Sequence, residues 1–152
     1  MIRILLFLFL PLIMNAQSMS HDVNGKEWLT DYEKALDVAK NEKKNIMIYF
    51  SGSDWCSPCK MLKKDLFQSD EFAKLENNYV LLYIDIPRNS DLLSTTQLQH
   101  NKELLSKLNK KGVFPLMKIL NPKGKELGEY AGYSMNGIID YHLDLLKKHM
   151  KS

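Results

Sequence analysis

The sequence predicts an α/β domain: a central mixed sheet of about four strands flanked by helices, closed by a C-terminal β-hairpin and a last helix. Two short apolar runs, Ile46–Phe50 and Tyr79–Ile86, lack helical spacing and read as buried strands. Stretches with apolar residues at three- and four-residue steps lie around them and read as amphipathic helices. A turn cluster, Asn121-Pro122-Lys123-Gly124, joins two further strand patterns. Strands alternating with helices imply right-handed parallel crossovers, and the terminal hairpin adds an antiparallel edge.

The elements follow in order. Residues 17–26 (QSMSHDVNGK) are polar and read as a loose lead-in. From Glu27 to Lys44, Trp28, Tyr32, Ala35, Leu36 and Ala39 recur at helical steps, and Asn45 ends the pattern. After the first strand, Ser51-Gly52-Ser53-Asp54 is a turn that delivers Trp55 and Cys56 to a helix start. Pro58 suits the first turn of that helix, where its missing N–H costs nothing. Ser69-Asp70 interrupts the helix before Glu71–Leu75. Leu92–Leu108 is helical, with Gly112 as its stop. Val113–Leu120 and Glu126–Tyr133 form the hairpin. Ser134 is the expected cap of a last helix that carries Ile139, Leu143, Leu146 and Met150.

The 152 residues suffice for one domain with its own core, and no linker marks a second. A 45% hydrophobic and 26% charged composition excludes disorder. The net charge of +3 is mild and its lysines are dispersed, so no nucleic-acid partner is expected. A monomer is expected. Residues 1–16 read as a secretory signal: Arg3, then the 11-residue apolar run Ile4–Met14, then the small Ala16. The run is too short for a membrane span and contains Pro11. Residues 27–152 are then the folded domain of an exported, periplasmic protein. Secretion, or retention by an uncleaved signal, is the alternative.

The only two cysteines lie in Trp55-Cys56-Ser57-Pro58-Cys59-Lys60. A redox pair, half a metal site and a structural staple are the candidate chemistries. Outside the cytoplasm, two cysteines usually pair. A disulfide closing so small a loop removes little unfolded-state entropy and would be a poor staple. Haem attachment needs a histidine where this chain has Lys60. His21, His100, His142 and His149 stand at no ligand spacing from the cysteines, so no metal is expected. His142 and His149 read as solvated or partly packed. The redox reading needs no cofactor beyond the Cys56–Cys59 disulfide. At a helix start the free N–H groups favour a thiolate on an exposed Cys56. Cys56 attacks a partner disulfide and the more buried Cys59 resolves the mixed disulfide. Trp55 shields the sulfur. Pro115 stands in a strand pattern, where proline is unusual; it is either a strand-start trans residue or part of a cis Phe114–Pro115 bond facing the cysteines.

The segments NIMIYFSGSDWCSPCK, YVLLYIDI and GVFPLMKILNPKGKELGEYAGY together resemble the thioredoxin superfamily. Within it, they are similar to exported bacterial thioredoxin-like proteins related to periplasmic disulfide-reductase domains. The resemblance covers about residues 27–150 and implies a thioredoxin fold. It implies that Cys56 attacks, that Cys59 resolves, and that Pro115 is the cis-proline with Phe114 against the sulfurs. It places Trp55, Ser57, Pro58 and Gly132 along the substrate groove, Gly132 leaving room for substrate to approach. It also implies disulfide-bearing protein substrates and a membrane electron donor or acceptor.

This sequence departs from cytoplasmic thioredoxins in carrying Phe50 for a buried proton-transfer aspartate and Leu81 for a lysine. Asp54 and Asp85 are the candidate substitutes, though Asp54 is more simply a solvated turn residue. The family's first strand is expected to be missing or replaced by the leading helix. No histidine lies between the cysteines, which by analogy favours a reductant. The expected function is therefore a thiol–disulfide oxidoreductase acting as a reductant. A thiol oxidase of the same fold and a non-catalytic binding module are the alternatives.

Overall fold

The computed structural model describes residues 20–23 and 25–151. The signal read over residues 1–16 lies outside the described residues. β1 (Ser20–Val23) and β2 (Lys26–Leu29) precede α1 (Tyr32–Glu42) and β3 (Asn45–Ser51). α2 (Ser57–Asp65), α3 (Asp70–Leu75) and β4 (Tyr79–Asp85) follow. α4 (Thr95–Leu108), β5 (Leu116–Leu120), β6 (Glu126–Ala131) and α5 (Asp140–His149) complete the chain.

The strands form one six-stranded mixed sheet in the order β1-β2-β4-β3-β5-β6. β3 runs parallel to β4 and antiparallel to β5, and every one of its residues is buried. That explains its uninterrupted apolar sequence, since both of its faces are covered. Met47, Tyr49, Met117 and Ile119 meet Leu62 and Leu66 of α2, Phe72 of α3 and Leu146 of α5. On the opposite face Ile46, Ile48, Phe50 and Leu82 meet Ala35 and Ala39 of α1 and Leu104 of α4. The period-2 alternation of strand side chains divides the core into these two layers. Lys118 is tolerated inside buried β5 because Glu126 and Glu129 bind its ammonium at 2.6 and 2.8 Å.

The sheet has six strands where about four are expected, and the difference lies at the N-terminal edge. Residues 26–29 form a strand rather than a helix, and part of the lead-in, Ser20–Val23, pairs with it antiparallel. β2 then joins β4 in parallel through Leu29 and Leu82, so the expected missing first strand is present. The four-residue step from Trp28 to Tyr32 mimics helical spacing. Helix α1 instead starts after Asp31, whose carboxylate accepts the Lys34 N–H at 2.8 Å.

Other boundaries also shift. α4 starts after a Ser94 cap and ends at Asn109, not Gly112. β5 begins after Pro115, and α5 starts at Asp140 with Ile139, not Ser134, at its cap position. The interruption at Ser69 is as read: its hydroxyl caps α3 through the Phe72 N–H.

Trp28 is fully buried and meets the rings of Tyr49, Phe67 and Phe72. Trp28→Ala should cost about 3–5 kcal/mol through the cavity it leaves. Urea unfolding checks this. A loss below about 1 kcal/mol would mean that β2 is peripheral to the core.

Candidate redox site

The site is built where β3 ends and α2 begins. The chain turns at Gly52, whose carbonyl accepts the N–H groups of Trp55 and Cys56 at 3.2 and 2.8 Å. Cys56 is the N-cap of α2, and its Sγ accepts the Cys59 N–H at 3.2 Å. This is the geometry in which unpaired helix N–H groups and the helix dipole favour a thiolate. Cys56 and Cys59 are joined in a disulfide, with Cα atoms 5.3 Å apart. Ser57, the first residue of the helix, is exposed, and Pro58 follows it in the first turn.

Cys56 is not exposed as expected. It is 3% accessible, against 1% for Cys59, because the disulfide belongs to the apolar cluster beneath α2. The expected order of burial holds, but both sulfurs are covered in the disulfide form.

Trp55 is half-buried and fixed on several sides. Its indole N–H donates to the Ile86 carbonyl at 2.8 Å, its ring meets Phe114 edge-on at 5.3 Å, and the Arg88 guanidinium lies 4.9 Å above it. Asp54 ties the same two segments together. Its carboxylate accepts the backbone N–H groups of Asn89 at 2.8 Å and Arg88 at 3.0 Å. The Asn89 N–H first, and then that of Arg88, hold its carboxyl below the usual range against a desolvation effect of opposite sign. Asp54 is thus a solvent-exposed clamp of the 87–89 turn.

The Phe114–Pro115 peptide bond is cis. Phe114 packs against the cluster that contains both cysteines. Gly132 donates its N–H to the Pro115 carbonyl at 2.8 Å and adopts φ +84°, in the left-handed region that favours glycine. The fold therefore gathers Trp55, Phe114, Pro115 and Gly132 around the end of α2 that carries the disulfide.

Sequence reasoning missed three contributors. Gly52 is one: a Cβ built there would lie 2.2 Å from the Trp55 ring, so only glycine lets the indole cross the turn. Tyr49 is another. Fully buried, it donates its hydroxyl to the Cys59 carbonyl at 2.8 Å. The strand alternation could have found it, because Tyr49 and not Phe50 faces the cysteines. Tyr83 and Asp85 lie opposite Tyr49 and Ser51 in register on β4. Burial raises the phenols of both tyrosines. Asp85 is buried and accepts the Ser53 N–H at 2.8 Å and hydroxyl at 2.5 Å.

His142 is the third, and it is neither solvated nor partly packed. It is 2% accessible, and burial lowers its pKa to about 4, opposed by a bond to the Gly132 backbone. Among the described residues, no cluster of His, Cys, Asp or Glu could hold a metal ion. Also among them, no helix is long and apolar enough to cross a membrane.

Residues 27–122 match the thioredoxin-like family, and the chain belongs to it. It is 30% identical over 125 residues to the thioredoxin-related protein DsbJ of Chlamydia pneumoniae, covering 82% of this chain and 35% of that protein. It is 31% identical over 107 residues to the disulfide bond reductase DsbH of the same organism, covering 70% of this chain and 63% of that one. This chain thus spans about a third and somewhat under two thirds of those relatives' lengths. A solved structure of a DsbH oxidoreductase superposes with a TM-score of 0.68 at 26% identity, covering 81% and 83% of the two chains.

Gly52→Ala should destabilise by about 1–3 kcal/mol through overpacking and displace Trp55. Thermal unfolding and near-UV dichroism read the two effects; an unchanged spectrum would mean that the turn adapts freely. His142 should titrate near pH 4. The unfolded chain binds that proton from about pH 6.5. This group's contribution to stability therefore falls as pH drops from about 6.5 toward 4 and levels off below. Ring NMR and urea midpoints across that window check it, and titration near 6.5 would overturn it.

Proposed function

We propose that this protein is a thiol–disulfide oxidoreductase that reduces protein disulfides outside the cytoplasm through Cys56 and Cys59. The observation that carries the reading is the N-cap position of Cys56, whose Sγ accepts a backbone N–H from the helix it begins. A thiolate there gains both a hydrogen bond and the helix dipole. The likeness to a disulfide bond reductase supports the reducing direction.

In the reduced protein, the Cys56 thiolate attacks one sulfur of the partner's disulfide. A Cys56–partner disulfide forms, and the partner's other sulfur leaves as a thiolate that takes a proton from water. Cys59 then loses its proton and attacks Cys56 Sγ. The internal disulfide forms and the partner's second thiol is released. Two electrons pass from the protein to the partner. Each cycle therefore needs a two-electron donor, which for an exported protein we assign to a membrane dithiol protein. Trp55, Phe114 and Pro115 form the groove wall, Gly132 leaves space at its end, and Ser57 and Pro58 form the helix face that the partner meets. Because Cys56 is covered in the disulfide form, the electron donor must seat closely against this wall to reach it. Export rests on the signal read over residues 1–16, which N-terminal sequencing of the mature protein tests.

The reduction potential of the pair decides the direction. Equilibration with a dithiothreitol series should give a value near about −270 mV, that of a reductant. A value near about −120 mV would make the protein an oxidant. Cys56→Ser should abolish turnover, while Cys59→Ser should accumulate a mixed disulfide visible on a non-reducing gel. A Cys56→Ser variant with full effect on its partner would instead identify a docking module.

A further inference from the structure

Two exposed cations stand over the residues that lead into the attacking cysteine. The Arg88 guanidinium lies 4.9 Å from the centre of the Trp55 ring. Lys60, one helical turn beyond Cys56, folds back so that its Nζ donates to the Asp54 carbonyl at 3.3 Å. Both converge on Asp54 and Trp55, the two residues before Cys56. The first turn of α2 holds no acidic residue to offset them.

Arg88 is delivered by a braced turn. The Ile86 N–H donates to the Ser51 carbonyl at 2.8 Å, and the Ile86 carbonyl accepts the Trp55 indole N–H at 2.8 Å. Pro87 is buried. The Arg88 and Asn89 N–H groups donate to the Asp54 carboxylate at 3.0 and 2.8 Å. The turn after β4 is therefore tied to the segment before Cys56 on both sides of the Arg88 side chain.

The same bonds decide what the guanidinium can bind. The Asp54 carboxylate is engaged with backbone N–H groups, and Arg88 makes no ion pair with it or with any other acid among the described residues. A guanidinium held against an aromatic face keeps N–H donors for a planar acceptor, and its fork fits both oxygens of a carboxylate. Neutral and basic side chains offer no matching charge, so this rim selects an acid. Successive Cα atoms are about 3.8 Å apart, so a side chain one or two residues from the partner's cysteine comes within reach of the Trp55 ring when the sulfurs meet.

We propose that Arg88 is a specificity-determining residue that pairs with an aspartate or glutamate carboxylate one or two residues from the attacked cysteine of the partner protein. Lys60 adds to the positive field that draws the acid in. Preferred substrates then carry their disulfide in an acidic stretch. The inference rests on the oxidoreductase reading and gives it a substrate class.

The test uses the reduced protein with disulfide peptides that carry glutamate, glutamine or lysine beside one cysteine and are otherwise identical. Each rate is divided by that of the same peptide with dithiothreitol, which removes the effect of the charge on the peptide's own sulfurs. Glutamate peptides should react about three- to fivefold faster than glutamine peptides at low salt, the size of an exposed charge pair, and lysine peptides slower than both. The glutamate-to-glutamine ratio should shrink toward one in about 0.5 M salt, which screens such pairs. In Arg88→Gln, at an exposed position whose bonds to Asp54 run through the backbone, the ratio should fall to about one at low salt. Equal rates in the native protein, or a preference that survives Arg88→Gln, overturns the assignment. A small neutral disulfide such as hydroxyethyl disulfide is run alongside. Its reduction upholds the oxidoreductase reading even when the acid preference fails, and no reaction with it removes both.

Discussion

A backbone N–H aimed at a sulfur organises this protein. The Cys59 N–H can reach Cys56 Sγ only if α2 starts where the sheet delivers it, at the end of a fully buried strand. Burial on both faces holds β3 rigidly, and the Gly52 turn converts strand into helix within a few residues. Apolar packing over the whole sheet thus becomes the placement of one donor, and that donor sets the reactivity of one thiol.

The surroundings of the sulfurs combine apolar cover with isolated polar anchors. Trp55, Phe114 and the core beneath α2 exclude water, while Trp55, Asp54 and Tyr49 are each tied to backbone groups. A thiolate in such a setting is stabilised by oriented dipoles rather than by a facing charge. Buried polar groups also lie on the cysteine face of the sheet. Tyr49, Ser51, Tyr83 and Asp85 share that face in register, while Phe50 lies on the other.

The site was more legible than the sheet edge. The cysteine spacing, the turn before it and Pro58 are local signals, and the structure sets Trp55 against Phe114 and Gly132 against Pro115. The N-terminal strands were not legible, because Lys26–Leu29 is short and Trp28 falls at helical distance from Tyr32. Its state is decided by pairing with β1, adjacent in sequence, and with β4, far along the chain. The cap of α5 was misplaced for a related reason. Ser134 has the right chemistry, but Tyr133 and Gly137 are bound into a loop that delays the helix to Asp140.

By itself, the sequence determined the alternation of strands and helices, the buried character of β3 and β4, and a dithiol at a helix start. These follow from periodicity, turn residues and capping, which act over a few residues. Only the tertiary structure decided that Cys56 is covered, that Gly52 must make room for Trp55, and that His142 is sealed beneath Tyr130 and Tyr133. Each depends on side chains brought together from distant segments or across a turn, and burial has no local signature when the neighbours that cause it arrive through the fold.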